Sequence, residues 1–222
     1  VLHACCHNPT GVDLTAEQWQ ALLEVLREYE LLPFLDVAYQ GFSRGIDEDG
    51  TVVRQFAQSG MPLLIANSFS KSFSLYGERV GALTIIDSSK DESTRVLSQL
   101  KRVIRANYST PPTHGGSVVT TVLTTPELRD SWVQELTEMR ERIKHMRSAL
   151  VDRLQAHGAN RDFSFVLRQN GMFSYSGLTA EQVDRLREEF HIYAVSTGRI
   201  CVAALNSRNV DYVAKAITTV LQ

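Results

Sequence analysis

Pro62-Leu63-Leu64-Ile65-Ala66-Asn67 leads directly into Ser68-Phe69-Ser70-Lys71-Ser72-Phe73-Ser74-Leu75-Tyr76-Gly77-Glu78-Arg79-Val80-Gly81. The first stretch is a continuous apolar run of strand length, as expected of a strand buried on both faces of a sheet. The second gathers the chain's densest set of hydroxyl and charged side chains at that strand's C-terminal end. Two similar runs lie upstream, Val1 to Cys6 and Leu32 to Asp36, and Val80 to Ile86 reads as a fourth strand whose direction the pattern leaves open. Between the first two runs, Thr15 with Gln18 three residues on forms a capping-box pattern. Trp19, Leu22, Leu23 and Leu26 then recur on one face of the helix it opens. Strands alternating with amphipathic helices predict an α/β fold on a mostly parallel sheet.

Further along, Val96, Leu97, Leu100, Val103 and Ile104 mark a helix near Thr94 to Arg105, closed by the breakers Ser109-Thr110-Pro111-Pro112. Thr125 and Pro126 then open a very long helix. Its apolar positions Leu128, Trp132, Leu136, Met139, Ile143, Met146, Leu150 and Leu154 recur at three- and four-residue spacing up to Gly158. Beyond it, short strands are expected around Phe163 to Leu167, Met172 to Tyr175, Tyr193 to Val195 and Ile200 to Ala203. Helices are expected near Thr179 to Phe190 and Asn209 to Leu221. The pattern predicts a large domain over 1–137 and a small α+β domain over 138–222, joined by the helix at about 126–156.

The 222 residues are 43% hydrophobic and 22% charged, with a formal net charge of -2. That balance suits a globular core and lacks the basic footprint of a nucleic-acid binder. Cys5, Cys6 and Cys201 make neither a disulfide framework nor a CxxC metal pattern, which points to a reducing, cytoplasmic setting. His3, His7, His114, His145, His157 and His191 show no metal-ligand spacing. No apolar run is long enough to span a bilayer, so neither nucleic acid nor membrane is an expected partner. The abrupt start in a strand, without a starting methionine or leader, reads as truncation.

Lys71 at the end of a buried strand has two readings: a solvated loop lysine, or an amine placed for imine formation with an aldehyde. A Walker phosphate loop is a poor rival, since it needs glycines before the lysine. Asp36 and Tyr39, in Asp36-Val37-Ala38-Tyr39-Gln40-Gly41-Phe42, lie at another strand's C-terminal end, where open α/β sheets bind ligands. Asp36 as a helix or turn cap is the alternative. His7-Asn8-Pro9-Thr10-Gly11 is by itself only a strong turn signal.

Taken together, these segments resemble the fold-type I, class I aminotransferases of the aspartate and aromatic-amino-acid branch, and the chain reads as the C-terminal portion of such an enzyme. Ser68, Ser70, Lys71 and Arg79 match the family's Ser-x-Ser-Lys segment with its arginine eight residues on. The resemblance implies pyridoxal 5′-phosphate (PLP) as cofactor. Lys71 would be its Schiff-base lysine and the acid/base of the proton shift, with Ser68 and Arg79 on the phosphate and Ser70 also in the cofactor-binding set. Asp36 would pair with the pyridinium nitrogen, and Tyr39 and Asn8 with the phenolic oxygen. Arg199, in Ser196-Thr197-Gly198-Arg199-Ile200, matches the arginine that grips the substrate α-carboxylate. Arg105, in Ile104-Arg105-Ala106-Asn107-Tyr108-Ser109, matches the one lent to a neighbouring subunit for a distal carboxylate.

The implied activity is transamination between an amino acid and a 2-oxo acid, in a homodimeric full-length parent. Asn67 to Arg79 looks more like the bacterial aromatic branch, while Ile104 to Ser109 and Gly158 to Ser176 look like the aspartate branch. Aromatic substrates are favoured. The family's N-terminal arm and first part of the cofactor domain have no counterpart here, so the chain alone is expected to be inactive. The competing expectation is a catalytically incomplete fragment with a structural or association role, and a third is a related PLP lyase or synthase.

Overall fold

Four strands form one sheet in a computed structural model that describes residues 1–222: β1 (Leu2–His3), β2 (Phe34–Val37), β3 (Leu63–Ser68) and β4 (Gly81–Ile86), hydrogen-bonded in that order. The first three run parallel, and β4 is antiparallel to β3, which settles the direction that the sequence left open. β1 is shorter than the apolar run Val1 to Cys6. Ala4 N–H still donates to Asp36 O at 3.1 Å, but Cys6 takes a left-handed φ of 53° that turns the chain away.

The core of this sheet follows from the burial pattern of its strands. Leu35 and Val37 of β2 and Leu63 and Ile65 of β3 are buried, and α1 (Ala16–Glu28) lays Trp19, Leu23 and Leu26 against them. Thr15 and Gln18 close the capping box that starts α1, with Thr15 N–H donating to Gln18 Oε1 at 2.9 Å. After α2 (Ile46–Asp49), α3 (Thr51–Gln58) adds Phe56, whose ring meets Trp19 edge-on at 5.8 Å. Each of these large side chains contributes about 2 kcal/mol of hydrophobic stabilisation.

The chain continues through α4 (Lys90–Asn107), α5 (His114–Thr124) and the 31-residue α6 (Pro126–Ala156). Ser89 caps α4, but none of its residues is buried, and Leu97 and Val103 on its apolar stripe are 50% and 61% exposed. Thr125 ends one helix and begins the next. Its N–H donates to Thr121 O at 3.1 Å while its carbonyl accepts from Arg129 N–H at 2.9 Å.

Two compact units divide the chain: Val1–Ala4 with Leu14–Leu136, and Cys5–Asp13 with Thr137–Gln222. The excursion of Cys5–Asp13 into the second unit was not part of the expected 1–137 and 138–222 division. Its cause is a set of polar bonds to residues near 170, described below. In the second unit β5 (Phe173–Tyr175) pairs antiparallel with β6 (Arg199–Cys201), and α7 (Ala180–Phe190) packs on α8 (Val210–Val220). Ile143, Met146, Leu150 and Leu154 of α6 are all buried, as their spacing predicts. Two expected strands did not form. Ser164–Arg168 is a 3-10 turn that buries Phe163 and Val166, three residues apart, and 193–195 is irregular with Tyr193 80% exposed. No helix is long and apolar enough to cross a membrane.

Candidate functional site

In the first unit, the parallel register sets Asp36 opposite Ala66 and Val37 opposite Asn67, so the segments leaving β2 and β3 emerge side by side. The β2 exit carries Asp36 and buried Tyr39; the β3 exit carries Ser68, buried Ser70 and half-buried Lys71. Lys71 Nζ lies 4.9 Å from the Tyr39 ring centroid and 5.2 Å from that of Tyr76. The lysine turn is held by backbone bonds from Phe73 N–H to Phe69 O at 3.3 Å and from Ser74 N–H to Lys71 O at 3.2 Å. Ser68 Oγ accepts from Ser70 N–H at 3.3 Å.

Trp132 also fixes that turn, a role that its place on the α6 stripe concealed. Its indole stacks on Phe73 with centroids 4.5 Å apart, and its Nε1–H donates to Ser72 O at 2.6 Å. Two further contributors went unseen in the sequence. His3 Nε2 stands 4.0 Å from Asp36 Oδ2, because β1 pairs His3 with Asp36. Asp49, buried, accepts from the backbone N–H groups of Gly41 (2.9 Å), Ser43 (3.0 Å) and Arg44 (3.0 Å), and so ties down the loop that follows Tyr39. An acid at the end of a four-residue helix gave no sequence signal for that.

Arg79 is exposed, at the end of the 3-10 turn Tyr76–Glu78 and in the left-handed region (φ 53°, ψ 43°). Its guanidinium donates to Tyr76 O at 2.8 Å and lies over the Tyr76 ring at 5.3 Å. It also lines a groove of about 1200 Å³ that runs past Tyr108 to Ser117 and Thr121. Arg105 occupies the last turn of α4, exposed, and donates to Ser109 Oγ; no bond ties it to Lys71, Asp36 or Tyr39.

The remaining two expected residues meet in the second unit. Arg199 Nη1 donates to Asn8 Oδ1 at 3.0 Å, and the guanidinium stacks over Phe173 at 4.8 Å. The Asn8–Pro9 peptide is cis. The loop that presents Asn8 is built around Asp13, whose carboxylate accepts from Cys6 N–H (3.0 Å), His7 N–H (2.9 Å) and Asn170 Nδ2 (3.2 Å). Gly11 is required there: at φ 72° an added Cβ would come within 2.6 Å of Phe173 O. Arg147, only 3% exposed, donates to Gly171 O and Phe173 O, each at 2.7 Å, to Val166 O at 3.2 Å, and to Ser174 Oγ. Burial pushes its guanidinium down to about 10, while the neighbouring Cys6 and Asp13 oppose that fall. On the far side of Arg199, Gly198 at φ 84° leaves no room for a side chain beside Leu178 O, and its carbonyl accepts from Ser176 Oγ at 2.7 Å.

The first cluster thus offers an amine nucleophile between two phenol rings, a carboxylate, two hydroxyls and a guanidinium. The second offers an arginine whose position is set by an amide and an aromatic ring.

A family model described as aminotransferase class I and II matches residues 1–217. An aspartate aminotransferase from Pseudomonas aeruginosa is 67% identical over 221 residues, which is 100% of this chain and 56% of the relative. An aromatic-amino-acid aminotransferase from Escherichia coli is 53% identical over the same shares. Among solved structures, an aromatic-amino-acid aminotransferase from Burkholderia pseudomallei, covalently bound to pyridoxal phosphate, superimposes with a TM-score of 0.97 at 67% identity, over 100% of this chain and 55% of that one. The chain spans about half the length of the relatives it matches.

Proposed function

Since the chain belongs to the class I and II aminotransferases, we propose that its Lys71 cluster binds PLP and serves transamination between an aromatic or dicarboxylic L-amino acid and a 2-oxo acid, with aromatic substrates favoured. The observation that carries this reading is the meeting of the β2 and β3 exits, where Lys71 Nζ stands 4.9 Å from the Tyr39 ring with Asp36 three residues before Tyr39. The groups present suit the cofactor. A primary amine answers its aldehyde, a carboxylate its ring N–H, a phenol its ring oxygen, and a hydroxyl with a guanidinium its phosphate.

When bound, PLP supplies an electron sink for the pair left at the substrate Cα. Lys71 would hold the cofactor through its Nζ, and the same amine, when free, is placed to carry a proton at the substrate Cα. Asp36 would hold the ring nitrogen and keep a proton on it, and Tyr39 would hydrogen-bond the phenolic oxygen. Ser68 and Arg79 would take the phosphate, with Ser70 beside them in the cofactor-binding set. Arg199 takes the α-carboxylate, a role supported by its prior orientation over Phe173, and Asn8 serves the phenolic oxygen. Arg105 reads a distal carboxylate in a neighbouring subunit of a homodimer, a state supported by the uncovered apolar stripe of α4. A cytoplasmic setting belongs to the same reading. So does the division into a partial cofactor domain and a small domain near residue 137.

Aspartate and aromatic relatives flank the chain at equal identity, which supports a broad substrate range. The test is an absorbance spectrum with added PLP, borohydride reduction, and mass mapping of the labelled lysine. Label confined to Lys71 supports the reading. No label, or label scattered over surface lysines, favours a chain whose role is structural.

A further inference from the structure

Tyr76 has no part in the roles assigned above, yet two basic side chains lie close to its ring. Lys71 Nζ is 5.2 Å from its centroid and the Arg79 guanidinium carbon 5.3 Å, both within the range of cation–π attraction. The Tyr76 carbonyl also accepts from Arg79 Nη1 at 2.8 Å. The left-handed backbone at Arg79 folds the side chain back over its own turn, so ring and carbonyl together aim the guanidinium. No carboxylate forms an ion pair with Lys71 or Arg79. Both side chains therefore lie near one ring, and neither is paired with a carboxylate. Burial does not explain the aromatic residue, which is 64% exposed.

Resting on the PLP reading, we propose that Tyr76 is a positioning residue. It holds the Lys71 amine and the Arg79 guanidinium in register, so that the site selects an aldehyde bearing a phosphate over the same aldehyde without one.

The experiment compares PLP with pyridoxal on this chain by absorbance titration, with borohydride trapping mapped to Lys71, in the unsubstituted protein and in Tyr76→Phe and Tyr76→Leu. Tyr76→Leu is expected to lower the preference for PLP over pyridoxal by about 2- to 5-fold, the range of an exposed cation–π contact, while Tyr76→Phe keeps it. On an Arg79→Ala background, Tyr76→Leu should cause no further loss of preference, because the residue acts through Arg79. Tyr76→Trp, with the strongest π face, should keep or raise the preference, and it serves as a second variant should leucine disturb the turn. An unchanged preference in Tyr76→Leu, equal weakening of both aldehydes, or a loss in Tyr76→Phe would overturn the proposal. Failure of the unsubstituted chain to trap either aldehyde at Lys71 is a different result, which removes the PLP reading and this inference with it.

Discussion

Arg199 donates to Asn8 Oδ1 at 3.0 Å although 191 residues of sequence separate them. The bond uses one edge of the guanidinium and the Phe173 ring covers a face, so the fork is oriented before any ligand arrives. A lysine at this position has neither the planar fork nor the stacking face.

Arg199→Lys is therefore expected to reduce kcat/KM for amino-acid substrates by roughly 10- to 150-fold, the worth of a hydrogen bond to a charged group. Steady-state kinetics with the substrates of the proposed transamination check it, and a loss below threefold would count against the carboxylate role.

Trp132 should matter to the lysine turn in two separable ways. Trp132→Phe keeps the stack on Phe73 but removes the N–H that Ser72 O accepts, at about 1 kcal/mol. Trp132→Leu also loses the ring pair, about another 1 kcal/mol. Urea midpoints at unchanged slope measure both. Equal midpoints for the two variants would contradict the separation.

Removing the Asp49 carboxylate leaves three backbone donors of the Tyr39 loop without their acceptor. Asp49→Ala should cost about 3 kcal/mol or more. It should also accelerate amide hydrogen exchange at Gly41, Ser43 and Arg44 before it affects β3. Exchange that rises uniformly would assign the residue to general stability alone.

Several exposed carboxylates are held below their ordinary range: Glu189 by its bond from Arg185, Glu141 by Lys144 and then Arg140, and Asp162 by the backbone and then the hydroxyl of Ser164. A lowered folded-state value means that the unfolded chain binds more protons on the acid side. The stability they contribute is present above the unfolded value of about 4 and is lost as pH falls through the lower folded values. Glu189→Gln should flatten part of that acid limb in pH-dependent denaturation, and added salt should shrink the difference. A limb unaltered by the substitution would show that the pair carries none of it.

The sequence made legible what local pattern encodes. β2 and β3 were readable as apolar runs, with Asp36 at the end of one and Tyr39 and Lys71 a few residues past them, but it was the resemblance to a known family, not the local pattern, that singled these three out. The capping box at Thr15 and the buried spacing along α6 were equally local. What escaped depends on partners far along the chain. His3 meets Asp36 only through strand register, and Trp132 reaches Ser72 across 60 residues. α5 was missed because His114-Gly115-Gly116-Ser117-Val118-Val119-Thr120-Thr121 is poor in helix formers, a preference that tertiary context overrides. The reverse error fell at 163–167, where β-branched and aromatic residues suggest a strand but a three-residue spacing buries Phe163 and Val166 in a 3-10 turn.

The excursion of Cys5–Asp13 into the second unit gives the two units an interleaved genetic layout. The polypeptide passes between them three times, after Ala4, after Asp13 and after Leu136, so no single cleavage separates them into intact bodies. Residues 137–222 expressed by themselves would lack Asn8, the acceptor of Arg199, and Asp13, the acceptor of Asn170. Evolutionary exchange of the second unit by one recombination point would fail for the same reason: its sequence is written in two places.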